Sequence, residues 1–72
     1  MKTMYKVKVG DDWTTRIRPE LEAFFVYEDE NKAAIFSKEE VAEIVKISMK
    51  YNENESIEII PVQVREVKTL EK

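Results

Sequence analysis

The stretch Ser37-Lys38-Glu39-Glu40-Val41-Ala42-Glu43-Ile44-Val45-Lys46-Ile47-Ser48-Met49-Lys50-Tyr51 decides the fold class, because its residues agree on one local structure. Ser37 followed three residues later by Glu40 makes a capping box. The Ser37 hydroxyl accepts from the third helical backbone N–H, and the Glu40 carboxylate accepts from the N–H of Ser37. From there to Tyr51 the chain has no Gly or Pro, and Asn52-Glu53-Asn54-Glu55 ends the helix. On a helical wheel Val41, Ile44, Val45, Ser48 and Met49 lie together, flanked by Ala42, Ile47 and Tyr51. Glu39, Glu43, Lys46 and Lys50 form a narrow wet stripe, and Glu43 with Lys46 is a solvated pair. The apolar arc is about twice the width that a helix lying on one surface requires.

Outward from the helix the period changes from 3.6 to 2. Tyr5-Lys6-Val7-Lys8-Val9 alternates apolar and basic residues and predicts a half-buried strand ending at Gly10, the only glycine. Gly10 to Glu20 mixes turn formers with β-prone residues and reads as a structured loop with room for a short strand around Thr14 to Ile17. Leu21 to Tyr27 is apolar on both faces, with Ala23, Phe25 and Tyr27 on one and Phe24 and Val26 on the other, which predicts an interior strand. Glu28-Asp29-Glu30-Asn31 is a polar turn, and Lys32 to Phe36 reads as the second arm of a β-hairpin. Beyond the helix, Ser56 to Val67 predicts a long strand whose inward positions shift from Ile57 and Ile59 to Val62 and Val64 at Ile60-Pro61. That point is a bulge, a bend or an edge. Thr69 to Lys72 is expected to fray.

The elements add up to an α+β fold in the order β-β-β-α-β, one helix packed on a small antiparallel or mixed sheet, in a single domain over residues 1–72. One sheet face cannot cover so broad a helical arc. Phe24, Val26, Ile35 and Ile60 are expected to leave apolar groups on the far side of the sheet, to be covered by the Trp13 loop or by another chain.

Composition limits the chemistry. The chain has 72 residues with no Cys and no His, so disulfides, thiolate or imidazole metal sites and the usual nucleophile and base are excluded. A single Gly leaves no glycine-rich phosphate cradle. The expectation is a protein that is not an enzyme, has no cofactor or small-molecule substrate, does not enter a membrane and resides in the cytoplasm. The net charge of −3 argues against a general nucleic-acid binder. Asp11-Asp12 and Glu28-Asp29-Glu30 carry oxygen donors but lack EF-hand spacing, and read as solvated turns.

Two clusters are candidate sites. Trp13, Arg16 and Arg18 combine large contact area with directional donors and form a candidate protein-partner site. The opposing reading is that Trp13 plugs the core. Lys6, Lys8, Arg16 and Arg18, which Lys32 could join, form an alternative patch for single-stranded nucleic acid, if aromatics lie exposed beside them. The expected partner is a protein, a second copy included.

The run Ala34-Ile35-Phe36-Ser37-Lys38-Glu39-Glu40-Val41-Ala42-Glu43-Ile44-Val45, followed by Ile57-Glu58-Ile59-Ile60-Pro61-Val62, resembles many small uncharacterised proteins of bacteriophages, prophages and low-GC Gram-positive bacteria. The resemblance covers about half the chain and is that of a capped helix between two strands. It implies a phage or prophage origin and an accessory role, and transfers no site residue.

Overall fold

A computed structural model of the chain describes residues 2–65. Four strands, β1 (Lys2–Val9), β2 (Asp12–Arg18), β3 (Ala23–Tyr27) and β4 (Ile57–Val64), form one antiparallel sheet in the order β3-β2-β1-β4. The helix α1 (Lys38–Tyr51) covers one face. The β-β-β-α-β order holds, yet its strands are not all those read from the sequence. Asp12–Arg18 is a full strand rather than a loop, and Lys32–Phe36 is not a hairpin arm.

The helix forms as its sequence dictates. Ser37 Oγ accepts from Glu40 N–H at 3.2 Å, and Glu40 Oε1 accepts from Ser37 N–H at 2.9 Å, so the capping box is complete. Val41, Ile44, Ile47 and Ser48 are buried against the sheet. Val7, Val9 and Phe36 complete the core with Val41 and Ile44. Met49 and Tyr51 stay exposed, because the sheet is too narrow to cover the whole apolar arc.

Gly10 makes the first hairpin possible. Val9 pairs with Asp12, leaving Gly10 and Asp11 as a two-residue turn, and Gly10 has φ +62°. A β-carbon there would meet the Glu55 carboxylate at 2.9 Å, a contact that this exposed, flexible side chain can relieve by turning away, so it is the left-handed conformation that calls for glycine.

β1 and β2 pair only next to this turn, at Lys8–Trp13 and Val9–Asp12. Beyond it they separate, and the chain after β3 enters the seam. Ala34 N–H donates to Thr14 C=O at 3.1 Å, and Phe36 exchanges both backbone bonds with Tyr5, at 2.7 and 2.9 Å. Lys32–Phe36 was expected to pair with β3 because the two are close in sequence. The free backbone groups of Tyr5 and Thr14 take it instead, and Phe36 is delivered to the helix side of the sheet.

The same accounting explains Pro61. β1 and β4 pair without interruption from Lys2–Val64 to Val9–Ile57, with Tyr5 opposite Pro61. Since Tyr5 spends its N–H and C=O on Phe36, Tyr5–Pro61 is a non-hydrogen-bonded pair, and the proline nitrogen points to the free edge of β4. No ladder bond is lost. The expected change of phase is a change of apolar face within a regular strand: Ile57 and Ile59 pair with core-facing Val9 and Val7, whereas Ile60 and Val62 pair with Lys6 and Met4 on the other face. The expected strand residues 66–67, and the terminus 69–72, lie outside the described residues.

Candidate functional site

The sheet face opposite α1 gathers the residues singled out in the sequence. Val7 and Val9 point to the helix, so Lys6 and Lys8 point away from it. Lys8 pairs with Trp13, and Trp13 with Tyr27, which places all three on this open face. In a regular strand Arg16 would fall on the opposite face from Trp13. A bulge between Thr14 and Arg16 inserts one residue, so that Arg16 faces Phe25 and Arg18 faces Ala23, both on the open face. Lys6, Lys8, Trp13, Arg16 and Arg18 therefore share one surface.

Their environments differ. Trp13 is only 8% exposed. The 3-10 turn Glu30–Lys32 lies against β2, and Glu30 reaches Lys6 at 3.5 Å as the chain crosses toward the seam. Lys8 Nζ stands 5.6 Å from the Trp13 ring centre, within cation–π range. Trp13 thus spends its surface inside the protein. Arg16 is exposed, with its guanidinium 6.0 Å from the Phe25 ring centre. Arg18 donates to Glu20 at 2.6 Å, and that hydrogen bond holds the Glu20 carboxyl below its ordinary range.

The feature the sequence hid is β3. It was expected to be interior, but among the described residues it forms an edge of the sheet, paired on one side only with β2. Phe25 is 48%, Val26 40% and Tyr27 54% exposed, and Leu21 just before the strand is exposed too. The faces are also reversed from the expectation. Phe24 packs on the core and Val26 shares its helix side, while Phe25 and Tyr27 stand on the open face. Ile60 is half-buried on the open face, and Ile35 is exposed. The alternation read at Ala23 to Tyr27 contained this surface; what it lacked was the neighbour that fails to cover it.

A cleft of about 310 Å³ lies where the C-terminal end of α1 meets β3, lined by Glu22, Phe24, Val26, Ile47, Tyr51 and Glu55 among others. Its most organised group is Glu22. Glu22 sits at φ +50°, a left-handed conformation uncommon outside glycine and asparagine, at the end of the 3-10 turn Pro19–Leu21. Its carboxylate accepts from Tyr51 Oη at 2.8 Å and from Lys50 Nζ at 3.0 Å. The Tyr51 hydroxyl first, and the Lys50 ammonium second, hold the Glu22 carboxyl below its ordinary 4.5; the same carboxylate raises Lys50 above 10.5. This cluster ties the helix end to the β2–β3 corner.

The sign of its pH dependence follows. A depressed carboxyl contributes stability above pH 4.5 that is lost as the pH falls through its lower folded value. A raised lysine contributes below 10.5 and loses its share as the pH rises through its folded value. Thermal melts should therefore find wild type more stable than Glu22→Gln at pH 7. The difference should narrow as the pH drops below 4.5. A difference independent of pH would mean that the ion pair contributes nothing.

Among the described residues no group of three or more acidic side chains is arranged to hold a metal ion, and no helix is long and apolar enough to cross a membrane. No protein-family model matches the chain, and no curated protein and no solved structure shows significant similarity to it.

Proposed function

We propose that this chain is a non-enzymatic protein-interaction module, acting in the cytoplasm, whose contact surface is the β3 edge with the adjoining open face. The observation that carries this reading is the exposure of Phe25, Val26 and Tyr27 on a strand with a free edge. A sheet edge presents unpaired N–H and C=O groups to any extended chain, and exposed aromatics supply the contact area that makes such an addition favourable. Arg16 over Phe25 adds a donor fork beside the aromatic surface. With no His or Cys in the chain, the surface offers binding rather than chemistry. The partner class is a protein, either a second copy of the chain or, following the resemblance to phage proteins, a host or phage protein.

The test is affinity capture from the native cells with tagged wild type and Phe25→Lys. One protein, the chain itself included, recovered with wild type and lost with the variant supports the module. Identical recovery with both, or none with either, contradicts it.

A second reading draws on the shared face of Lys6, Lys8, Arg16 and Arg18, where Glu58 is the acidic residue of the strands. Basic groups beside Phe25 and Tyr27 suit single-stranded nucleic acid, in a chain whose net charge is −3. Binding that weakens steeply with salt and with Arg16→Ala would favour this reading.

A further inference from the structure

Resting on the reading of β3 as an interaction edge, we propose that its partner is a second copy of this chain, joined β3 to β3 in antiparallel fashion about a two-fold axis at Val26. The two edges of the sheet are not equivalent. β4 directs the proline nitrogen of Pro61 outward, where a partner strand would find no donor, and it carries the charge of Glu58. β3, with the sequence Ala23-Phe24-Phe25-Val26-Tyr27, contains no proline, no glycine and no charge. One edge is guarded and the other is open.

The backbone of β3 fixes which residues can bond outward. Phe25 C=O accepts from the Thr15 hydroxyl at 3.2 Å, so the Phe25 peptide groups face β2. Thr14, opposite Val26, has its C=O engaged by Ala34 N–H on the side away from β3. By alternation, Phe24 and Val26 direct their N–H and C=O to the free edge. A two-fold axis at Val26 thus creates a mutually hydrogen-bonded Val26 pair.

The side chains favour the same register. About Val26, Phe25 of each copy faces Tyr27 of the other across the open face, an aromatic cross-strand pair made twice. Phe24 then lies opposite the partner's Glu28 and Ala23 opposite the partner's Asp29, with no like charges opposed within the paired strands. Glu22 and the partner's Glu30 come opposite each other only in the turns beyond them, one position farther from the axis than the nearest acidic pair of the alternative register. An axis one residue earlier, at Phe25, would set Glu22 against the partner's Glu28, which is unfavourable. The uncharged strand is complementary to itself, which is what selects a second copy over a foreign chain.

The size of the patch sets the strength. Two half-exposed aromatic rings, each able to bury about 150–250 Å² in full, fall short of the ~800 Å² per partner of a standard interface. The dimer is therefore weak and concentration-dependent.

Sedimentation equilibrium of the full chain from about 1 µM to about 1 mM should show a monomer–dimer equilibrium. Val26→Lys and Phe25→Lys should each weaken it at least about tenfold. Gln63→Lys, at the free edge of β4, should leave it unchanged. Circular dichroism checks the fold of each variant, and Phe25→Lys, at a half-exposed site, serves if Val26→Lys does not fold. A wild type that remains monomeric throughout, or a dimer unaffected by the β3 substitutions, overturns the proposal. If the wild type is monomeric yet captures a foreign protein that Phe25→Lys loses, the second copy is wrong and the interaction module stands. If neither form of binding depends on β3, both readings fall.

Discussion

Phe36→Ala is expected to remove about 3–5 kcal/mol of stability, a large share of the ~5–15 kcal/mol that holds a typical domain. Phe36 is 4% exposed and packs with Val7, Val9, Val41 and Ile44. It also stands where the chain passes through the seam between β1 and β2, so its ring fills space that neither strand can close over. Collapse around a vacated ring is limited by the backbone bonds of Tyr5 on one side and Ala34 on the other. Chemical denaturation would read the loss directly, and in so small a domain each kcal/mol shifts the melting temperature by roughly 4–8 °C. A loss below about 1 kcal/mol would mean that the seam closes without the ring. Phe25→Ala is the contrast. Phe25 is half-exposed on the open face, so its removal should cost the isolated chain far less.

Ile44→Ala is expected to cost about 2–5 kcal/mol, and Ile44→Val about 0.5–1.5 kcal/mol. Ile44 is fully buried on the helix face that meets the sheet. Truncation leaves a cavity ringed by Val7, Val9, Phe36 and Val41, all in the same cluster. The graded pair of substitutions separates a cavity from a loss of helix propensity, because valine is the poorer helix former and yet should be the milder change. Equal losses for the two would show that packing at this point is not what holds α1 to the sheet.

What could be read in the sequence, and what could not, divides by range. The capping box of Ser37 and Glu40 and the alternation of Tyr5, Val7 and Val9 are local signals, and each stands in the structure as read. β2 was hidden because its bulge breaks the period: Thr14 and Ile17 share the helix side, and Trp13, Arg16 and Arg18 the other, a spacing that belongs to neither regular strand nor helix. The position of β3 was hidden for a different reason. Ala23 to Tyr27 is apolar on both faces in either setting, and only the strand order decides whether a second neighbour covers it. The course of residues 32–36 is set by backbone groups of Tyr5 and Thr14, some twenty to thirty residues away, which no local pattern carries.

The candidate site follows the same division. The sequence supplied Lys6, Lys8, Arg16 and Arg18, and the register brings them to one face. It proposed Trp13 as a contact or as a plug, and Trp13 is buried. Of the residues on which the functional proposal rests, Phe25 and Tyr27 were read as one covered face of an interior strand, and Val26 as apolar surface on the far side of the sheet. The structure exposes all three and puts Val26 on the helix side.

The most direct test of that proposal is a dilution series of amide ¹H–¹⁵N correlation spectra on the full chain. The account predicts concentration-dependent shifts centred on Phe24, Val26 and Tyr27, with the outward-facing amides of β4 at Ile59 and Gln63 unmoved. Spectra that do not change with concentration, or shifts centred on β4 or the exposed side of α1, would contradict it.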